Sequence, residues 1–108
     1  MKEEIRRAVV VNAAAQITKR APSSVYSYHR SKHTHINPTY DHEARAHIGG
    51  SGSGLYHYGT GSHISLCVDG TNFSGYDYGS GHHFSGSVNG GSVQLYDYGE
   101  SRYFNYTV

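Results

Sequence analysis

Residues 59–78 read GTGSHISLCVDGTNFSGYDY and residues 79–98 read GSGHHFSGSVNGGSVQLYDY, two 20-residue units that superpose without a gap. Gly59/Gly79, Gly61/Gly81, His63/His83, Ser65/Ser85, Val68/Val88, Gly70/Gly90, Tyr76/Tyr96, Asp77/Asp97 and Tyr78/Tyr98 are identical pairs. The closing tripeptide also appears one step earlier as Tyr56-His57-Tyr58. Repetition at a fixed period means one supersecondary unit stacked on copies of itself.

Each unit carries two turn signals. Gly49-Gly50, Asp69-Gly70 and Asn89-Gly90 are the dipeptides that type I′ hairpins require at their two central positions. Gly59-Thr60, Gly79-Ser80 and Gly99-Glu100 put glycine first, as type II′ prefers. Six two-residue turns then join seven strands into an antiparallel meander with a step of 10 residues over 39–108.

Counting outward from those turns, one face carries Ala44, Leu55, Ile64, Gly75, Phe84, Leu95 and Phe104, followed by Ala46, Ser53, Leu66, Phe73, Gly86, Val93 and Tyr106 and then Ile48, Ser51, Val68, Thr71, Val88, Gly91 and Val108. This face is largely apolar, and Phe84 beside Gly75 and Phe73 beside Gly86 match large residues with small ones. The opposite face sets Glu43, Tyr56, His63, Tyr76, His83, Tyr96 and Tyr103 in one row and Arg45, Gly54, Ser65, Ser74, Ser85, Gln94 and Asn105 in the next. A β-solenoid with one 20-residue coil per turn would stack the same pairs, but it has no use for alternating hairpin dipeptides.

The chain outside the repeat supplies a helix and a connector. Residues 1–20, MKEEIRRAVVVNAAAQITKR, put Glu3 and Glu4 at one end and Lys19 and Arg20 at the other, complementing a helix dipole, and Ala21-Pro22 stops the helix. Its centre is apolar on nearly every side, so protein is expected around more than one side of it. Residues 21–38 connect it to the repeat. Val25-Tyr26-Ser27-Tyr28 echoes the Tyr-x-Tyr strands there, and Lys32 to Ile36 offers an eighth strand before Asn37-Pro38.

One helix about 10 Å across cannot cover a seven-stranded sheet. Two covers follow: a second copy of the chain, which makes a homo-oligomer the preferred solution, or curling of the sheet into a small up-and-down barrel with the same residues inward. The fold class is mainly β, as a single domain with an N-terminal helix.

Composition narrows the function. A formal net charge of +1 provides no basic stripe for phosphates, which argues against nucleic acid. The uncharged run from Ala8 to Thr18 is too short to cross a membrane, and Glu3 and Glu4 spoil a secretory signal, so a cytoplasmic chain is expected. The single Cys67 permits no internal disulfide; its row, with His47, Gly52, Asn72, Ser87, Ser92 and Thr107, shows no catalytic base beside it, and it reads as a half-buried structural thiol. His42, His57, Ser62, Asp77, His82, Asp97 and Arg102 read as an exposed ion-pair ladder at the edge of the apolar face, without a nucleophile or an oxyanion hole.

The 20-residue aromatic repeat loosely resembles the choline-binding repeats of cell-wall modules, which are also built on hairpins. This chain lacks their tryptophans, and the resemblance stops at the period. The residues point to a non-catalytic, self-associating β module without a cofactor, whose row Tyr56, His63, Tyr76, His83, Tyr96 and Tyr103 binds a small ligand, carbohydrate foremost. The alternatives are a metal- or small-molecule-binding barrel, with His33-x-His35 as the metal candidate, and a purely structural assembly protein.

Overall fold

Helix α1 runs over Glu3–Thr18 and ends where Lys19 turns left-handed, at φ 62°, and donates its N–H to Ala15 O. Lys19 and Arg20 therefore follow the helix rather than belonging to it. Seven consecutive residues from Ile5 to Val11 are buried, and so are Ala13 and Ala14. Seven residues make about two full turns, so every side of α1 meets protein. Asn12, the one polar residue at its centre, donates to Ala8 O within the helix and to Pro38 O outside it.

What surrounds the helix is a closed barrel. The computed structural model, described over residues 1–51 and 53–108, has strands β1 (Ser24–Ser27), β2 (Lys32–Asn37), β3 (Tyr40–Asp41), β4 (Ala46–Ser51), β5 (Gly54–His57), β6 (Ser62–Asp69), β7 (Asn72–Asp77), β8 (His82–Asn89), β9 (Ser92–Asp97) and β10 (Arg102–Thr107). Each strand pairs antiparallel with the next, and β10 returns to β1. The barrel, second choice in the sequence, is the fold that forms, and the solenoid is not. Its strands number ten rather than seven or eight, because the connector supplies both β1 and β2 and the first strand of the stretch 39–108 is divided into β3 and β4.

The girth explains why a helix fits. Ten strands spaced about 4.8 Å and tilted by about 40° circle their axis at a radius of about 10 Å. Wall side chains fill roughly half of that distance and leave a bore of about 10 Å, the width of one helix. The small Ala8, Val9, Val10, Val11, Ala13 and Ala14 of α1 fill it, each with no exposed surface. Around them stand Ile48, Leu55, Ile64, Leu66, Phe73, Phe84, Val88, Val93, Leu95, Phe104 and Tyr106, all buried. The apolar face for which a second copy was the expected cover is thus covered by the chain's own helix.

The faces are those expected, but the register along three hairpins is not. Leu55↔Ile64, Gly75↔Phe84 and Leu95↔Phe104 pair as anticipated. Val68, however, lies opposite Phe73 and Val88 opposite Val93, two residues further along than Asp69-Gly70 and Asn89-Gly90 turns would allow. Gly70 and Gly90 are the first residues of the actual turns and carry φ of +63°, the pattern of type II′ rather than I′. Gly49 and Gly50 lie inside β4, opposite Tyr56 and Leu55. Shifts by an even number keep every side chain on its face.

What the shifts add is stagger, which a flat meander lacks and a barrel needs. Ser65 pairs with Tyr76, and Tyr76 pairs with His83. Two strands on, the neighbour of Ser65 is thus His83, two residues short of its repeat equivalent Ser85. Cys67 faces Ser74 and is exposed rather than half-buried; Gly52, placed in its row, lies outside the described residues. No helix among the described residues is long and apolar enough to cross a membrane.

Candidate functional site

Five loops of one design close one end of the barrel: residues 26–31, 40–45, 56–61, 76–81 and 96–101. Each starts with tyrosine and ends in a left-handed residue, namely Ser31, Arg45, Gly61, Gly81 and Ser101. The second residue of each, Ser27, Asp41, His57, Asp77 or Asp97, is buried. The Gly79-Ser80 turn is accordingly part of a four-residue loop, closed by Gly81 N–H on Asp77 O at 2.8 Å.

Outside the barrel, each loop organises three rings. Tyr76 packs edge-to-face on Tyr78 and on His83, with centroids 4.8 and 4.7 Å apart. The same triad recurs as Tyr56/Tyr58/His63, Tyr96/Tyr98/Tyr103, Tyr26/Tyr28/His33 and Tyr40/His42/His47. Its sequence signature is Tyr-x-(Tyr/His)-x4-(His/Tyr). The two copies near the N-terminus escape a search at period 20 because they start 14 and 16 residues before the next.

The six ring residues singled out in the sequence are brought together in twos rather than as a continuous strip. Tyr56 meets His63, Tyr76 meets His83 and Tyr96 meets Tyr103. The stagger sets Ser65 beside Tyr76 and Ser85 beside Tyr96, which interrupts the row with hydroxyls. Tyr58, Tyr78 and Tyr98 do not cover Gly61 and Gly81. The nearest atoms to a side chain built at those glycines are the Tyr56 and Tyr76 hydroxyls.

Between the triads lie open clefts. One of 460 Å³ has Tyr76, His83 and Tyr98 around a floor of Ser65, Ser74, Gly75 and Ser85. A second of 380 Å³ has Tyr56, His63 and Tyr78 around Gly54 and Ser65. A third of 370 Å³ sets Tyr28 beside Ser87, Gln94 and Asn105. Tyr28, Tyr78 and Tyr98 are more than half exposed, at 58%, 65% and 55%, so they wall the clefts without supporting the core.

Inside the same end, the loop residues meet the start of α1. Asp97 Oδ2 accepts from the Met1 ammonium at 3.0 Å and from Arg6 at 3.1 Å. Asp41 Oδ2 takes Nε and Nη2 of Arg7 at 3.1 and 2.8 Å. Ser27, His29 and Tyr106 all reach the Glu3 carboxylate. Carboxylates are favoured near the positive end of a helix, and each aspartate also uses Oδ1 to cap its own loop, as Asp97 does for Gly99 N–H and Glu100 N–H.

The titrations follow from these contacts. Burial opposes the Asp97 charge, but the Met1 ammonium, Gly99 N–H and Arg6 outweigh it and the pKa falls. Hydrogen bonds from Arg30, helped by Thr34 and Arg7, hold Glu43 at about 2. Burial pushes the His57 pKa down and that of Tyr106 up.

Of the predicted exposed ladder, His57, Ser62, Asp77 and Asp97 are thus buried, while His42, His82 and Arg102 are exposed. The four buried residues share the inward parity of Leu55, Phe73 and Leu95, and barrel closure around a charged helix end takes them out of water. Among the described residues no group of three or more His, Cys, Asp or Glu side chains is arranged to hold a metal ion. Comparison with protein-family models, curated proteins and solved structures finds no match to this chain.

Proposed function

We propose that the protein is a non-catalytic binding module whose outer Tyr/His clefts take carbohydrate. The observation that carries this reading is the repeated cleft of tyrosine walls over a serine floor, seen at Tyr76/His83/Tyr98 and again at Tyr56/His63/Tyr78. Edge-to-face rings form a corner rather than a platform, with Tyr76 and His83 at 68°. A pyranose presents C–H groups to one wall and hydroxyls to the other and to the floor, where Ser65, Ser74 and Ser85 both donate and accept. An amphipathic ring beside exposed hydroxyls is the usual polar-handled aromatic contact. Repetition around the wall suits a ligand that is itself repetitive, such as an oligosaccharide, because linked weak sites gain by effective concentration.

The test is calorimetric titration with oligosaccharides of increasing length. Tyr78→Ser and Tyr98→Ser should each weaken binding about two- to tenfold while leaving the melting temperature nearly unchanged, since aromatic contacts of this type contribute about 0.5–1.5 kcal/mol and both residues are exposed. Absence of binding by every oligosaccharide tried, or loss of stability in place of loss of affinity, would sink the proposal.

A further inference from the structure

One buried donor at the mouth has no partner in the fold. His57 has no exposed surface, and its Nδ1 accepts the Thr60 N–H at 3.2 Å. The neutral ring then carries its proton on Nε2, where a metal ion finds no lone pair. That Nε2 has no hydrogen-bond partner, and neither does the buried Thr60 Oγ1. A buried donor left unmet costs about 1–3 kcal/mol. At the equivalent position of the other loops Ser27, Asp41, Asp77 and Asp97 are all bonded, so the departure from the repeat and the open donor coincide.

His57 and Thr60 line a cleft of 330 Å³ shared with Glu4, Arg7 and Glu43. Arg7 spends Nε and Nη2 on Asp41, while Nη1 stands 3.6 Å from Glu43 and 3.7 Å from Glu3, beyond good hydrogen-bond length. Its Nη1 hydrogens remain available to an acceptor in the cleft. Glu43 is already held by Arg30 and Thr34, whereas Glu4 has no hydrogen bond or ion pair among the described residues. The cleft therefore brings together two kinds of donor, His57 Nε2–H and Arg7 Nη1–H, and the Glu4 carboxylate.

We infer that this cleft binds a small zwitterion of the amino-acid type. Its carboxylate accepts from His57 Nε2–H and Arg7 Nη1–H, and its ammonium lies against Glu4 and Thr60 Oγ1. The volume is at the lower end of the range for ligand pockets and admits a molecule of that size. This site lies inside the mouth and is independent of the outer clefts.

The experiment is a nitrogen-15 NMR titration of the whole chain with the common α-amino acids, and with acetate and methylammonium as half-ligands. A binding amino acid should move the His57 Nε2–H and Thr60 N–H signals and saturate, with each half-ligand at least tenfold weaker. His57→Asn keeps an oxygen for Thr60 N–H, as Asp41 and Asp97 offer one to Ala44 N–H and Glu100 N–H, and draws the donor back from the Nε2 position to that of the ring's Cδ2, short of the ligand; affinity should fall about ten- to a hundredfold. Glu4→Gln, at a residue without partners, should abolish the preference for the amino acid over acetate, and it decides the matter if His57→Asn does not fold. Saturation by acetate as tight as by any amino acid overturns the inference. So do unmoved signals with a water cross-peak on Nε2–H, which would show solvent alone in the cleft.

Discussion

Asp41 and Arg7 show how a single residue ties helix to wall. Arg7 is only 2% exposed at its side chain and Asp41 not at all, so removal of one partner strands the other away from water. Asp41→Ala should cost about 3–5 kcal/mol, read as a lowered denaturant midpoint, and it also uncaps Glu43 N–H and Ala44 N–H. The pH profile carries a second signature. His57 has a folded pKa below its ordinary 6.5, so as pH drops through 6.5 the unfolded chain takes a proton that the folded chain refuses. Stability should fall there by up to about 1.4 kcal/mol per pH unit, and His57→Asn should remove that limb. Glu43, held at about 2 against an ordinary 4.5, adds a second decline that begins below 4.5 and runs down to about 2. It should vanish in Glu43→Gln, as denaturation at stepped pH can check. Asp77 and Asp97 were legible in the sequence only as a repeated pair, read there as part of an exposed ladder. Their burial was not, because alternation assigns a face and cannot say what stands opposite.

At the scale of elements, glycines set where strands approach. A Cβ on Gly75 would collide with Ser65 O and stand 2.6 Å from the Phe84 ring, and one on Gly86 would collide with Gln94 O beside Phe73. Phe84 and Phe73 use the space that those glycines leave. Gly75→Ala and Gly86→Ala should therefore each destabilise by about 1–3 kcal/mol, whereas Gly70→Ala, with nothing within 4 Å but a φ of +63°, is a test of backbone strain alone. Thermal melts of the three variants separate crowding from strain. The apolar face, the Phe/Gly pairing and the all-round helix were readable because each rests on side-chain parity or on composition. Register at Gly70 and Gly90 was not, since Asp-Gly and Asn-Gly satisfy a turn in either of two frames, and only closure of the whole sheet selects between them.

Across the molecule, stability is expected to be uneven. β3 is two residues long and β1 pairs with β10 at Tyr26↔Thr107 and Ser27↔Tyr106, extended by Tyr28 N–H on Asn105 O, while β6 to β9 share long ladders. Amide hydrogen exchange should be fastest in β3 and along the β1–β10 seam and slowest in β6 to β9, and uniform protection would contradict this. The two irregular copies lie at that weaker side, which is also where the sequence showed a connector rather than repeats: spacing of 14 and 16 residues hides a design that the ring triads make plain. Five copies of one hairpin wrap one rod. A sixth copy would widen the wall radius from about 10 to about 12 Å and leave a gap around Ala8 and Val9 that no side chain there could reach. The rod thus works as a gauge: its slender, alanine- and valine-rich girth sets how many duplications the chain can keep, and a change in copy number would have to be matched by thicker residues along the axis.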